Sequence, residues 1–223
     1  MKKKNKIENY IDGSEEINLT PLQLDSLMEL GNIGSGHAIT ALSQLLNRGI
    51  HVSLTSVDLT PFWKLPDKFG GRENEVFGIL SLVKEDQQLT ILQIYEKESI
   101  INVVNNITPE RKVNLLEITQ LEDLDDFMLN TITEVGNILA GHYANALADL
   151  MNIKLIPGVP EVAFDALGSI MEYVIARSAE SADLVLMVNT KMNLEDLDIN
   201  GIIVFLPVIS TLKKLFKAIN IEY

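Results

Sequence analysis

SLMELGNIGSGHAITALSQLLN, residues 26–47, returns 105 residues later as TITEVGNILAGHYANALADLMN, residues 131–152. Ten of the 22 paired positions are identical without a gap, which is far above chance agreement. The stretch is therefore an internal repeat, and such a repeat organises the interpretation of the rest of the chain.

Both copies are predicted to lie in long helices, because their apolar residues recur at helical spacing. Thr20-Pro-Leu-Gln23 is a good helix start, since Thr can cap, Pro suits the first helical position and Gln completes a capping box. The first helix is expected over about residues 22–46, with Asn47-Arg-Gly49 as its stop. For the second helix, Thr119–Glu122 is the capping-box candidate and the end is expected near Met151.

Glycines inside the first helix need a structural reason. Gly31, Gly34 and Gly36 each lower intrinsic helix stability by roughly 1 kcal/mol relative to alanine. We expect the close approach of another backbone, with a helix kink as the alternative.

Each long helix is followed by predicted strands and a short helix. The predicted strands cover residues 50–59, 76–83, 89–95, 161–165, 169–178, 182–191 and 201–206, with a loop over 61–75. Short helices are expected to open at Ser99 and at Ser210. The fold class is therefore α/β (α+β): two pseudo-twofold-related helix–strand–hairpin–helix repeats, with long helices packed on a mixed or antiparallel sheet.

Composition is that of an ordinary globular protein, with 47% hydrophobic and 22% charged residues among 223. Residues 1–18 are predicted to be a flexible leader, and 19–223 a single domain built of repeats over about 19–110 and 115–223. No cysteine occurs, which excludes disulfides, thiolate zinc sites and a thiol nucleophile. The apolar run over 202–209 is too short to span a bilayer, so we expect a cytoplasmic protein without membrane insertion.

The net charge of −13 lies mostly in the second half. Residues 115–198 hold 15 Asp and Glu against Lys154, Arg177 and Lys191, a net of −12. Such a field disfavours nucleic acid and favours a partner that presents lysine. Simple surface solubility is an equally good explanation of the acidity.

Glu29 with Asn32, and Glu134 with Asn137, share the spacing Glu-x-x-Asn. Three residues apart on a helix, both side chains of a pair lie on one face, outside the apolar stripe. One such pair would be an ordinary solvated surface. Its retention in both copies, while exposed neighbours differ, favours two equivalent functional sites.

An amide cannot act as a general base near neutral pH, but it can hold an attacking water by donating and accepting hydrogen bonds. Positioning water is a large part of catalysis when the substrate is already activated, as in phosphoryl transfer. A nearby carboxylate could pair with a lysine of a partner protein. The constellation suits a protein that inserts a residue into the active site of another.

These residues resemble the CheC phosphatases of bacterial and archaeal chemotaxis, with the related CheX and FliY proteins. That family carries Asp/Ser-x-x-x-Glu-x-x-Asn followed by a proline 23 residues after the Asn. Here Asp25 precedes the first pair, but Thr55 stands at the proline position; Pro160 follows the second pair, but Asn130 replaces the Asp or Ser. The resemblance covers about residues 19–220, and two motifs in one chain favour CheC over CheX.

The resemblance implies dephosphorylation of phosphorylated CheY, the chemotaxis response regulator with an aspartyl phosphate. By that analogy Asn32 and Asn137 place the hydrolytic water, and Glu29 and Glu134 bind a lysine of the regulator. The Mg²⁺ would belong to the substrate protein, so no cofactor or metal of the chain's own is expected. The family also implies the deamidase CheD as a second partner, for which no motif here gives independent support.

Further positions complete the predicted site or compete with it. Asp25, Gly36 and Gly141 are assigned to partner binding. His37 and His142 also repeat, yet no third metal ligand lies at a standard spacing, so core or interface histidines are favoured. No Ser-His-Asp signature is present. Phe62 and Trp63 could be a partner contact, although a loop anchor packed on the core is the more common use.

The leading hypothesis is thus a protein aspartyl-phosphate phosphatase with two pseudo-symmetric Glu-x-x-Asn sites. The alternative is a non-catalytic adaptor that binds phosphorylated CheY or CheD in chemotaxis or the flagellar switch. Substitution of the two asparagines separates the hypotheses, because only an enzyme would lose turnover while keeping its partner.

Overall fold

The computed structural model describes residues 19–46, 49, 51–83, 88–107, 112–177, 184–194 and 197–221. The predicted leader over 1–18 and the hairpin turn after residue 83 lie at least partly outside these ranges. In chain order the helices and strands are α1 (Pro21–Leu46), β1 (His51–Pro61), β2 (Glu75–Val83), β3 (Leu89–Glu96), α2 (Lys97–Ile107), α3 (Asp126–Met151), β4 (Glu161–Ala166), α4 (Leu167–Arg177), β5 (Leu184–Leu194), β6 (Leu197–Pro207) and α5 (Ile209–Ala218). Short 3-10 helices cover Phe62–Lys68, Leu115–Glu117 and Leu121–Asp123.

One six-stranded sheet has the order β1-β5-β6-β3-β2-β4. Every pairing among the described strands is antiparallel, which resolves the predicted mixed or antiparallel sheet in favour of the latter. The repeat relates β1, β2 and β3 to β4, β5 and β6, respectively. When each strand is replaced by its counterpart, the same strand order is obtained, read from the opposite edge of the sheet. A pseudo-twofold axis therefore passes between β6 and β3, as the repeat predicts.

The two long helices share one length and one offset. Helix α1 covers Pro21–Leu46 and helix α3 covers Asp126–Met151, so both bounds shift by the same 105 residues as the sequence repeat. The two helices pack against each other. The repeat is thus a structural unit, and the signature residues occupy equivalent places in both halves.

Helix α1 begins at the predicted capping box. The Thr20 N–H donates to Gln23 Oε1 at 2.9 Å, and the Gln23 N–H donates to Thr20 Oγ1 at 3.4 Å. Helix α3 begins differently from the prediction, because Asp125 is its cap and accepts from the Met128 N–H at 2.8 Å. The predicted start at Thr119–Glu122 is wrong: the box there is Gln120 with Asp123, on a separate 3-10 helix.

Two apolar layers hold the helices on the sheet. One face, which includes Phe77, Ile79 and Ile91, packs against α1, α2, α3 and α5. The other face, which includes Leu80, Leu92 and Val204, packs against α4 and the 3-10 helix over Phe62–Lys68. Both long helices therefore lie side by side on one face of the sheet, with their outer surfaces turned to solvent.

The strand predicted over residues 169–178 is wrong, because Leu167–Arg177 is helix α4. Its buried residues Ile170, Met171 and Val174 recur at one-turn spacing. The segment also contains the β-branched and aromatic residues Ile170, Tyr173 and Val174, which are common in strands, so composition alone suits either element. Packing on the second face of the sheet favours the helix.

Candidate functional site

Four predicted site residues of the first copy lie along one exposed stripe of α1. Asp25, Glu29, Asn32 and Gly36 are all solvent-exposed. Steps of four, three and four residues keep successive side chains on one helix face, one turn apart. The structure therefore brings Asp25 together with the Glu-x-x-Asn pair.

The second copy presents the equivalent stripe on α3. Glu134 and Asn137 are exposed, and Gly141 is partly exposed. Asn130 stands one turn before Glu134, where the first copy has Asp25, and it is exposed as well. The second stripe thus has the same geometry with one carboxylate fewer.

The four Glu and Asn side chains have no intramolecular task in the part of the chain that the structure describes. None of them makes a hydrogen bond or ion pair to another described residue. Buried polar groups elsewhere in this fold are mostly paired. An exposed amide and carboxylate without a polar partner among the described residues are available to a second molecule.

Glycine has no packing role at Gly36 or Gly141. A Cβ built at either position meets no atom of the described residues within 4 Å. The predicted close approach of another backbone is therefore not found at Gly36 within the described part of the chain. Each stripe instead contains a bare patch of helix backbone next to its asparagine.

Two other glycines of the repeated segments are required by packing within the fold. A Cβ at Gly34 would lie 2.5 Å from Cδ1 of the Tyr143 ring, and one at Gly136 would lie 2.6 Å from Cγ2 of Ile79. Gly34 thus admits a side chain of α3, rather than a backbone, between the two long helices. Burial raises the pKa of Tyr143 to about 12, so this ring stays neutral at the contact.

The two repeated histidines meet where α1 and α3 pack together. The ring centroids of His37 and His142 are 6.1 Å apart, with planes inclined by 63°. Burial lowers the pKa of His142, and the nearby His37 adds to that shift. The predicted interface role is confirmed for this pair, whereas a core role is not, because His37 is exposed.

No group of three or more His, Asp or Glu side chains within the described ranges could hold a metal ion. The two histidines supply only two ligands of the four that structural zinc takes. The prediction that the chain has no metal or cofactor of its own stays a prediction.

Positions that flank the sites differ between the copies. Thr55 falls at the irregularity in the β1–β5 register, between Leu54 and Ser56. Pro160 is buried and directly precedes β4. Thr55 therefore lies in the first strand after α1, and Pro160 lies directly before the first strand after α3.

In the predicted loop after β1, Phe62 is buried in the second apolar layer, as a core anchor would be. Trp63 is 60% exposed, with the Lys64 ammonium 5.4 Å from its ring centroid. Both residues sit on a 3-10 helix rather than in irregular loop. They line the opposite face of the sheet from the long helices, so Trp63 is separate from the two stripes.

Gln93, which the sequence did not single out, lies fully buried beneath the second stripe. Its side-chain amide donates to the Gly136 carbonyl of α3 at 2.7 Å. The residue interrupts an apolar strand, LTILQIYE, and a polar residue in a buried strand is the signal that could have identified it.

Comparison with known proteins identifies relatives that match both repeated segments. A model of the CheC-like family matches residues 22–53 and 127–163, which are the two signature helices with the chain that follows each. CheY-P phosphatase CheC of Bacillus subtilis (strain 168) is 32% identical over 206 residues, covering 89% of this chain and 94% of that protein. The chain belongs to the CheC-like family. Its similarity to this relative supports the family's role in chemotaxis.

Solved structures confirm the fold. FliY of Thermotoga maritima matches with a TM-score of 0.67 at 21% identity, over 92% of this chain and 98% of that one. The FliM middle domain from H. pylori matches with a TM-score of 0.62 at 12% identity, over 89% and 99%. At these identities the likeness concerns architecture alone.

Among the helices that the structure describes, none combines the length and the apolar content that a bilayer crossing requires.

Proposed function

We propose that this CheC-like protein hydrolyses the aspartyl phosphate of a CheY-type response regulator at two Glu-x-x-Asn sites. The observation that carries the proposal is the repeated exposed stripe, Glu29–Gly36 on α1 and Glu134–Gly141 on α3. The stripes are equivalent in the fold and expose an amide with no role in the described interior. The phosphatase relative from Bacillus subtilis supports the same substrate class.

The asparagines would position the nucleophile. Each of Asn32 and Asn137 can accept from a water with its carbonyl oxygen and donate to it with its NH₂ group. The water oxygen forms a bond to phosphorus, and the bond from phosphorus to the aspartyl oxygen breaks. The products are the free aspartate carboxylate of the regulator and inorganic phosphate, which carries the protons of the water. An acyl phosphate is already activated, so orientation of the water supplies much of the required acceleration.

The glutamates would hold the regulator. Glu29 and Glu134 stand one turn before their asparagines, and a carboxylate there can pair with a lysine of the partner. Asp25 would add a second carboxylate to the first stripe, whereas Asn130 leaves the second stripe with one. The acidic second half of the chain would speed encounter with a lysine-bearing surface.

Gly36 and Gly141 would let the partner come close. A methyl group at either position would project from the stripe beside the asparagine, because none of the residues that the structure describes surrounds it. Glycine costs roughly 1 kcal/mol in a helix interior, and no described contact of the fold requires it here. Contact with the regulator's backbone is therefore our proposed role for both glycines.

Other parts of the proposal follow from the family. The Mg²⁺ of the reaction would belong to the regulator, and the chain would work in the cytoplasm, where that regulator acts. CheD would be a second partner, on the strength of the family resemblance.

The test compares turnover with binding. Decay of the phosphorylated regulator is followed with wild type and with N32A/N137A, and affinity is measured separately against a beryllofluoride-activated regulator. We expect the double variant to lose acceleration while it keeps affinity. Asn145→Ala is the matched control, because it is an exposed asparagine of α3 that the first copy replaces by Thr40. Binding without any acceleration by wild type would instead favour the adaptor.

A further inference from the structure

In both copies, the glycine carbonyl between the glutamate and the asparagine accepts a hydrogen bond from a side chain. In α1, Ser35 Oγ donates to the Gly31 carbonyl at 2.6 Å. In α3, Gln93 Nε2 donates to the Gly136 carbonyl at 2.7 Å. The two glycines are equivalent in the repeat, so the same carbonyl is engaged in each half by a different residue.

The difference has a simple origin in the sequence. The counterpart of Ser35 in the second copy is Ala140, which carries no hydroxyl. The local donor is therefore missing from α3, and Gln93 of strand β3 supplies the hydrogen bond from below. The first site is supported within its own helix, whereas the second is tied to the central sheet.

The orientation of the Gln93 side chain is fixed from both ends. Its NH₂ group must face the Gly136 carbonyl, which can only accept. Its Oε1 accepts from the Tyr95 hydroxyl at 2.9 Å, and Gln93 and Tyr95 are both 0% exposed. Burial strongly raises the pKa of Tyr95, so its hydroxyl keeps the proton that it donates.

The tie lies directly beside the second site. Gly136 is the residue before Asn137, and it packs tightly on the sheet, since an added Cβ would lie 2.6 Å from Cγ2 of Ile79. A side chain bound to this carbonyl limits both sliding and rotation of the helix at that point. Small displacements of a positioned group can cost about a hundredfold in rate.

We infer that Gln93 is a positioning residue of the second site: it holds the Glu134–Asn137 segment against the sheet and so sets where the Asn137 amide stands. The inference rests on the proposed function. It makes the two sites mechanically distinct, since a change at Gln93 should affect one of them alone.

Single-site backgrounds provide the test. In N32A only the second site can work, and in N137A only the first. Gln93→Met should lower kcat in the N32A background by roughly tenfold or more, with KM nearly unchanged, and should leave N137A within about twofold. Gln93→Met alone leaves the buried Tyr95 hydroxyl without its acceptor. Q93M/Y95F, which removes both polar groups and should therefore destabilise the fold less, is tested beside it.

A second variant distinguishes the tie to the sheet from mere loss of a hydrogen bond. Ala140→Ser places in α3 the donor that α1 uses, which can occupy the Gly136 carbonyl without joining the helix to the sheet, so adding it to Gln93→Met should leave kcat in the N32A background low. Equal losses in both backgrounds, or no loss in N32A, would overturn the inference. A wild type that never accelerates decay would instead refute the proposed function. In that case, side-chain amide NMR still tests the tie: Gln93→Met should shift the Asn137 signal and leave Asn32 in place, and an unmoved Asn137 signal overturns it.

Discussion

Replacement of Gly36 and Gly141 by alanine should change stability and partner binding in opposite directions. Both new methyl groups would enter open space, since no described residue lies within 4 Å of a Cβ at either position. Alanine exceeds glycine in helix propensity by about 1 kcal/mol per residue, so G36A/G141A should gain up to about 2 kcal/mol of unfolding free energy. For a chain of this length that corresponds to a Tm increase of roughly 4–8 °C.

Phosphatase activity should fall in the same variant. If the regulator packs on bare backbone, each methyl overfills a fitted contact at a cost of about 1–3 kcal/mol. That cost corresponds to a KM increase of roughly 5- to 150-fold. Urea unfolding gives the first quantity, and steady-state decay of the phosphorylated regulator gives the second.

Gly34→Ala is the matched control, because it makes the same change two residues away on the same helix. Its methyl would lie 2.5 Å from the Tyr143 ring, so this variant should be less stable than Gly36→Ala. A stabilised G36A/G141A with wild-type KM would refute the proposed contact. A destabilised G36A/G141A would show that the space above these glycines is not open.

Two further predictions concern charge. The double variant E29Q/E134Q should have a higher KM than wild type, and its KM should depend less on salt concentration, because a contact with a lysine is lost. Steady-state kinetics at several ionic strengths check this prediction. Asp149→Asn, which changes another exposed acid of α3, is the control and should alter KM little. His142 has a pKa below the ordinary 6.5, so the unfolded chain binds its proton more readily and stability should fall as the pH drops below about 6.5. Denaturant midpoints from pH 7 to pH 5 should therefore decline less in His142→Gln than in wild type, and identical declines would count against the partial burial of His142 beside His37.

Much of the fold could be predicted from the repeat. The offset of 105 residues predicts a second long helix, and in the structure both helix bounds lie at that offset. Helical spacing also located the last helix, whose Leu212, Leu215 and Phe216 are buried. Such local patterns suffice where one face of an element is apolar and the other polar.

The failures have physical reasons too. Helix α4 is a short, mostly apolar segment with β-branched and aromatic residues, which suits a strand as well as a helix, and only the apolar layer beneath it decides. The start of α3 was misplaced because Thr119, Gln120 and Asp123 form a cap of their own, in which the Thr119 backbone N–H and other donors lower the Asp123 pKa. Capping chemistry marks a helix start without giving its length.

The candidate site shows the same division. Exposure of the Glu-x-x-Asn pairs follows from their place outside the apolar stripe. The hydrogen bond that supports the second pair could not be predicted in this way, because it joins Gln93 to Gly136, which lie 43 positions apart in the sequence. Sequence identity between the copies could not reveal a device that exists in only one of them.

Phosphate release from a phosphorylated CheY-type regulator, measured with wild type, N32A, N137A and the double variant, tests the central claim most directly. The account predicts that wild type accelerates phosphate release and that each single variant retains activity. With the double variant, the phosphorylated regulator should decay at its own intrinsic rate. Full acceleration by N32A/N137A, with the protein shown to be folded, would contradict it.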